Sequence, residues 1–506
     1  MVTIIDVILP IFTLIVAGLL TIPIFRAIRK SSYKKGLALA WIVVVFAVAG
    51  LTVLNLALTY YVTSTPSPLT LTLDGTTNPT IATSFFIDAI SIFMAVIIVA
   101  IAAVVMIYTI FFVDIAERPS DRYIAMMLVL TGALIGAVLS GDLLTFFIFW
   151  EAATAAAAFL MIYRKTAFSL NATLKYLVMV IIASAFVLLG LSVIYGITGT
   201  LNYVGVREAL STIPAADLNL LIIAFVFVIA GYAIEAAIVP FHFWLPDAYT
   251  AAPAPSAAFL SALVDQGSYY ILIRILLFIV LPPSVGGAIG LDWTLMLAAL
   301  AALTMIVGNI FALIQNNIKR LVAYICVADV GYNLVAITSA TQLGLAGNLY
   351  FFLIGGLTTA LAFMAVGIIN RHGFKTLEDF AGVGKKMPWS SLALVMAGLS
   401  FAGVPPLGGF IAKYFVFTAA ISVNLTWLAV IGVLTSVLQT AYIFRLLNIM
   451  YGKQPKDGIT TRIKENKYLL IPVFLLVAAI FILGLFPDFV LQLIQPIMSQ
   501  LPWTIP

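Results

Sequence analysis

Eight ionisable side chains lie within apolar stretches of this chain: Asp88, Glu151, Glu235, Asp265, Arg274, Asp329, Lys413 and Arg445. A charge at bilayer depth costs roughly 2.5–3.5 kcal/mol on insertion scales, so each one needs a partner, water or a task. Glu151 stands in FIFWEAATAAAAF, with large residues before it and small ones after. Small residues let helices approach closely, which turns the carboxylate toward other helices. A hydrogen-bonded packing acid and a step in a proton relay both fit that position. In GYAIEAAIVPFHFWLPDAY, residues 231–249, Glu235 precedes Pro240 by five residues, and His242 and Asp247 follow. Lys413 follows Pro405 and Pro406 in FAGVPPLGGFIAKYFVF. Proline removes backbone donors and frees carbonyls, so both stretches read as interrupted helices beside a charge, the form of ion sites in transporters. Snorkelling of Lys413 is disfavoured because a long apolar run separates it from Asn424.

Asp329, in LVAYICVADVGYNLVAI, has Tyr324, Tyr332 and Asn333 within helical reach as hydrogen-bond partners. A satisfied packing residue and a relay residue both fit. Arg274 and Arg445 read as structural counter-charges, since guanidinium keeps its proton. His242 and Asp247, just past the break, suit capping or loop-fixing as well as proton access.

The elements that must position these groups follow from composition. The 506 residues are 63% hydrophobic and 9% charged, whereas a soluble domain carries about 25% charged side chains. The chain therefore reads as an integral membrane protein. One cysteine, Cys326, excludes a disulfide framework or thiolate cluster, and the two histidines, His242 and His372, are too few and too distant for a metal site. No flavin, haem, cluster or nucleotide motif is visible, so no cofactor is expected. The first apolar segment, which begins beside Asp6, is too long for a signal-peptide core and reads as a span.

Counting runs of roughly 20 apolar residues gives about fourteen spans. Span five is expected at 142–163, span seven at 218–240, span eight at 254–280, span ten at 319–340, span twelve at 389–422 and span fourteen at 468–493. With the N-terminus outside, twenty-one of the 25 Lys and Arg residues fall in or beside cytoplasmic loops, leaving Arg207 outside and Arg274, Lys413 and Arg445 in spans. Both termini are thus expected outside a cytoplasmic membrane. The net charge of +5 is explained by topology and calls for no nucleic-acid partner. The outward loops are 64–83 and 198–217, and TLTLDGTTNPT at 70–80 reads as a small hairpin around an Asp-Gly turn. Corresponding interruptions in spans seven and twelve imply an all-α fold with two inverted five-helix repeats. These are spans four to eight (122–280) and nine to thirteen (281–451). Spans one to three (1–121), and a cytoplasmic loop with span fourteen (452–506), lie outside them. Long apolar outer faces imply lipid and other membrane subunits as neighbours.

Four blocks carry a resemblance: FIFWEAATAAAAF; IVPFHFWLPDAYTAAPAPSAAFLSALVDQGSYYILIR; ALIQNNIKRLVAYICVADVGYN; and FAGVPPLGGFIAKY. In that order the chain resembles the antiporter-like subunits shared by respiratory complex I, membrane-bound hydrogenases and Mrp-type cation/proton antiporters, Mrp D-like, through spans four to thirteen. The resemblance implies an H⁺-translocating subunit without a cofactor of its own, driven by partner subunits of a larger complex. It also implies a glutamate on span five paired with a lysine on span seven, with further lysines on spans eight and twelve. Glu151 matches the first and Lys413 the last. The span-seven position is Glu235, the span-eight position is Gln266 beside Asp265, and span eleven offers only Thr358 and Thr359. Glu151 beside Glu235 could exchange a proton or bind Na⁺, since hard cations prefer oxygen. A structural or coupling subunit that has lost translocation is the second reading, and an independent transporter of an organic substrate the third.

Overall fold

Peptide groups can cross hydrocarbon only if their hydrogen bonds close within the segment, and each long apolar run does this as a helix. The computed structural model describes residues 2–63, 68–72, 83–117, 119–210, 212, 214–280, 293–455 and 461–499. Arg118 and Lys456, counted above among the cytoplasmic charges, lie outside them. The first third comprises α1 (Ile4–Ile28), α2 (Lys34–Thr63), strands β1 (Leu69–Thr72) and β2 (Ser84–Ile87), α3 (Ala89–Phe112), α4 (Pro119–Leu139) and α5 (Leu143–Ile162). There follow α6 (Ala167–Thr198), α7 (Tyr203–Leu210), α8 (Ala215–Glu235), α9 (Trp244–Ala251) and the long α10 (Ala254–Val280), which contains two π-helical stretches. The remainder comprises α11 (Trp293–Leu313), α12 (Ile318–Ser339), α13 (Gln342–Asn370), α14 (Val383–Lys386), α15 (Pro388–Ala402), α16 (Gly408–Ser422), α17 (Thr426–Gly452), α18 (Lys467–Leu485) and α19 (Pro487–Ser499).

Among the described residues 13 helices are long and apolar enough to cross a membrane. Two shorter apolar helices, α15 and α16, of 15 residues each, stand where the twelfth span is expected. The last span differs from the expected 468–493: α18 stops at Leu485, and α19 begins at Pro487, which cannot continue the helical hydrogen bonding. The outward hairpin also differs. β1 pairs antiparallel with β2 from Leu69↔Ile87 to Thr72↔Ser84, so the second arm lies beyond residue 80. The Asp-Gly turn itself falls outside the described residues.

Burial sorts the helices into a core and a lipid-facing shell. The apolar windows of α10 and α12 are 100% buried and that of α13 is 94% buried, against 33% for α2 and α6. The shell presents large apolar side chains outward, such as Phe12, Leu51, Ile181 and Val437. Glycine permits the closest crossings. A Cβ on Gly190 of α6 would lie 2.6 Å from the Ala224 carbonyl oxygen on α8, and one on Gly231 of α8 would lie 2.8 Å from that of Ala183 on α6. Gly308 and Gly331 do the same for α11 and α12, giving the small-residue contacts that membrane helices use in place of hydrophobic burial. Asp265, Gln266, Arg274 and Asp329 all stand on core helices.

Candidate ion pathway

Two interruptions shape the site. Helix α8 ends at Glu235, a turn earlier than the expected boundary at 240, and Pro240 sits inside the irregular segment 236–243. The physical reason is local: Ala237 adopts a left-handed φ of 53°, which stops the helix before the proline is reached. The freed backbone groups find partners. Trp244 Nε1 donates to the Ile234 carbonyl at 3.0 Å, and the Val239 amide donates to Thr304 Oγ1 on α11 at 3.2 Å. The second interruption runs from Gly403, with φ of 74°, through Pro405 and Pro406 to Gly408. Its Val404 amide returns to the Leu399 carbonyl at 3.0 Å. Helix α18 closes over it at Gly484, where a Cβ would meet the Pro406 oxygen at 2.2 Å.

Around the two interruptions lies a row of ionisable groups, one from each of five helices, four of them buried and one half-buried. Glu151 on α5 is half-buried and accepts a hydrogen bond from Ser184 Oγ on α6 at 2.6 Å. Glu235 is 7% exposed, its Oε2 has no protein partner, and Glu151 is the charged group that acts on it. Tyr176 of α6 is buried within electrostatic reach of Glu235, Glu151 and Asp265 and packs on Trp244 at 5.0 Å between ring centres. Asp265 follows a π-helical stretch of α10, accepts a short hydrogen bond from Tyr249 Oη and interacts with Asp329. Gln266 beside it is buried, and its Oε1 is unpartnered.

Asp329 lies next and interacts with Lys413. Both of its carboxylate oxygens are buried without a protein hydrogen bond, so of the two roles that fit its sequence, packing residue and relay residue, the first does not form with those neighbours. Asn333 donates to the Asp329 backbone oxygen, Tyr324 stacks on Phe311, and Tyr332 turns toward α17. The helical periodicity brought these side chains near Asp329, but packing turned them to other partners. Lys413 Nζ donates to Gln439 Oε1 at 2.6 Å and Ser436 Oγ at 3.1 Å on α17, and lies 4.3 Å from the Tyr332 ring centre. From Tyr332 a polar branch continues through Asn309 to Tyr442. Asp329, Lys413, Thr358 and Ser400 line a cleft with about 10 Å³ open to water centres, close to the room one water needs. Thr358 and Ser400 are themselves hydrogen-bonded at 3.0 Å, whereas Thr359 bonds its own helix at Gly356.

The remaining candidates lie off the row. Arg274 makes a bidentate pair with Asp88, both bonds at 2.6 Å and both side chains almost wholly buried. Asp88 also caps α3 through the Ser91 amide at 2.9 Å, so it is the hinge between α3 and α10. Arg445 differs from the expected counter-charge: it has no ion pair among the described residues and donates to the Leu313 carbonyl that ends α11 at 3.1 Å, a C-terminal partner favoured by the helix dipole. His242 is buried with Nδ1 unpartnered, against Phe243 and Phe311. Asp247 caps nothing. It joins α9 to Lys175 of α6 at 2.6 Å and to Arg320 of α12 at 3.1 Å. Because both cations are partly exposed, Asp247→Asn is expected to cost only about 1 kcal/mol, read as a small drop in melting temperature with ion movement retained. A more than tenfold loss of ion movement at unchanged stability would assign Asp247 to proton access instead.

Sequence reasoning missed Ser184, Tyr176, Tyr249, Ser436 and Gln439. The signal available was a polar residue in an apolar run, as in SVLQTAY around Gln439. Which face each run turns inward is not written locally.

Residues 140–439, which contain every group of the row, match the family described as NADH:quinone oxidoreductase/Mrp antiporter, transmembrane. The chain is 32% identical over 412 residues to NADH-quinone oxidoreductase subunit N of Coxiella burnetii, covering 81% of this chain and 84% of that one. It is 30% identical over 412 residues to F420H2 dehydrogenase subunit N of Methanosarcina mazei, covering 79% and 82%. Its fold is similar to a chain of the membrane-bound sulfane sulfur reductase, an archaeal respiratory membrane complex, with a TM-score of 0.85, 28% identity and 97% of each chain covered. With thirteen membrane-length helices among the described residues, two interruptions and a row of ionisable groups within the matched residues, the chain belongs to the antiporter-like membrane subunits of the NADH:quinone oxidoreductase/Mrp antiporter family.

Proposed function

We propose that the chain moves protons through a multi-subunit respiratory or Mrp-type assembly, along the row Glu151, Glu235, Asp265, Asp329 and Lys413, driven by partner subunits. The observation that carries this reading is the order of the row. Glu151 acts on Glu235, Asp329 on Asp265 and Lys413 on Asp329, the buried Tyr176 lies within electrostatic reach of Glu151, Glu235 and Asp265 where the two groups meet, and unpartnered carboxylate oxygens stand at Glu235 and Asp329. Buried polar atoms are nearly always satisfied, so those oxygens call for water or a mobile ion. Glu151 and Glu235 take up and hand on the proton, Asp265 and Asp329 carry it across the core helices, and Lys413 exchanges it with the Tyr332 branch. Residues 122–280 and 281–451 form inverted repeats around this row in our reading, flanked by 1–121 and 452–506. The chain lies in the cell membrane with both termini outside, as the distribution of Lys and Arg favours.

The test is the assembled complex in proteoliposomes. Glu235→Gln and Asp329→Asn should each lower coupled proton movement more than tenfold while subunit content on native gels stays unchanged. The second reading, a coupling subunit without translocation, rests on Glu235 and Gln266 standing where the family has lysines on spans seven and eight. It predicts undiminished proton movement in both variants. The same liposomes loaded with Na⁺ ask whether Na⁺ travels by the Glu151–Glu235 pair: Na⁺-dependent flux lost in Glu235→Gln would make it the cargo.

A further inference from the structure

Away from the row, where α1, α4 and α5 reach the basic rim of the protein, a cleft of about 570 Å³ opens between them. Arg26 and Arg29 at the end of α1, Arg122 in the first turn of α4 and Lys165 just past α5 line it, against a single acid, Asp121. Asp121 is 3% exposed and positions the first two guanidiniums through contacts of 3.4 and 3.5 Å. Charge-assisted hydrogen bonds at full strength are nearer 2.7–2.9 Å, and Asp121 is already engaged at its other oxygen by the Arg122 amide at 2.9 Å. One carboxylate against four lining cations leaves the lining net positive, and Arg26 remains 59% exposed. The 21-residue α4 begins at Pro119 in the lining of the same cleft, which adds the positive end of a helix dipole.

One wall differs in kind. Phe159 and Ile162 of α5 give the cleft an apolar side, and α1 continues away from Arg26 with Leu19 and Leu20 exposed. A site for a water-borne anion has no use for an apolar wall leading into the lipid-facing surface, whereas a phospholipid needs both. We propose that this cleft binds the phosphodiester headgroup of an anionic phospholipid, with its acyl chains running along Phe159, Ile162 and the outer face of α1. Basic pockets between membrane helices at a charged rim are suited to such headgroups. Arg26, Arg29 and Arg122 hold the phosphate, for which guanidinium geometry is well matched, and Lys165 closes the mouth. The lipid thereby adds to the contacts of Arg26 and Arg29 with Asp121 that join α1 to α4 at this rim.

Equilibrium binding of radiolabelled dioleoylphosphatidylglycerol to the full chain in its assembly, in neutral-detergent micelles, tests this. One saturable site is expected, about thirtyfold weaker in Arg26→Gln/Arg122→Gln and unchanged in Lys34→Gln/Lys35→Gln on the same rim. If the double variant fails to assemble, Lys165→Gln should still weaken binding about fivefold. Equal binding in the cleft variants overturns the site. Equal competition by dioleoylphosphatidylcholine overturns the anionic headgroup. Displacement by inorganic phosphate as effective as by the lipid overturns the acyl-chain component, and protection of the cleft by a neighbouring protein subunit in lipid-free complex assigns it to a protein partner instead.

Discussion

Lys413→Met is expected to abolish coupled ion movement, by more than tenfold, in an assembly whose subunit content is unchanged. Lys413 is the cation that acts on Asp329, and its buried ammonium group contacts Gln439, Ser436 and the face of Tyr332. Methionine fills a similar volume with no charge, so the packing of α16 against α13 and α18 survives while the far end of the row loses its exchangeable group. Lys413→Arg separates two accounts of the residue. Guanidinium keeps the positive charge beside Asp329 but cannot give up its proton. If Lys413 only supplies charge, the arginine variant should translocate; if it passes the proton on, the arginine variant should fail as the methionine variant does. Proton flux in proteoliposomes, normalised to assembled complex, reads both. Full flux in Lys413→Met would remove Lys413 from the pathway and leave the proposed direction of the row without an end.

The second large effect is on stability. Arg274→Met leaves Asp88 buried without its partner, and breaking a buried ion pair from one side costs about 3–5 kcal/mol. The surroundings offer Asp88 nothing in exchange, since the guanidinium fits between Phe86, Tyr270 and Phe278 at 5.0–5.3 Å from their ring centres. The expected result is a sharp fall in melting temperature and in the yield of assembled complex. Arg274→Met/Asp88→Asn should recover most of the loss, because asparagine still caps α3 and carries no charge. Ion movement per assembled complex should match the parent in the double variant. Loss of movement in a stable, fully assembled double variant would place the pair in the pathway, not in the scaffold.

Much of this protein follows from local sequence. Long apolar runs specify spans because unpaired peptide groups are intolerable in hydrocarbon, and prolines inside two of those runs mark spans that must break. The ionisable residues that stand at depth are visible one by one for the same reason: their cost singles them out. What a run of letters cannot state is which face of each helix turns inward once the others are packed against it. Asp329 had three polar neighbours within helical reach, yet packing sent Tyr332 to α17 and left both carboxylate oxygens bare. Asp88 looked like one more charge in a span and became a helix cap holding Arg274 from 186 residues away. Ser184, Tyr249 and Gln439 stand out locally only as polar residues in apolar runs, and packing brought them to the row. Charge and hydropathy are properties of a segment, so the sequence by itself determined the spans, the breaks and the inventory of buried charges. The ordering of Glu151, Glu235, Asp265, Asp329 and Lys413 into one row is a property of crossing helices, set by close contacts such as those at Gly190 and Gly231, and only the tertiary structure decided it.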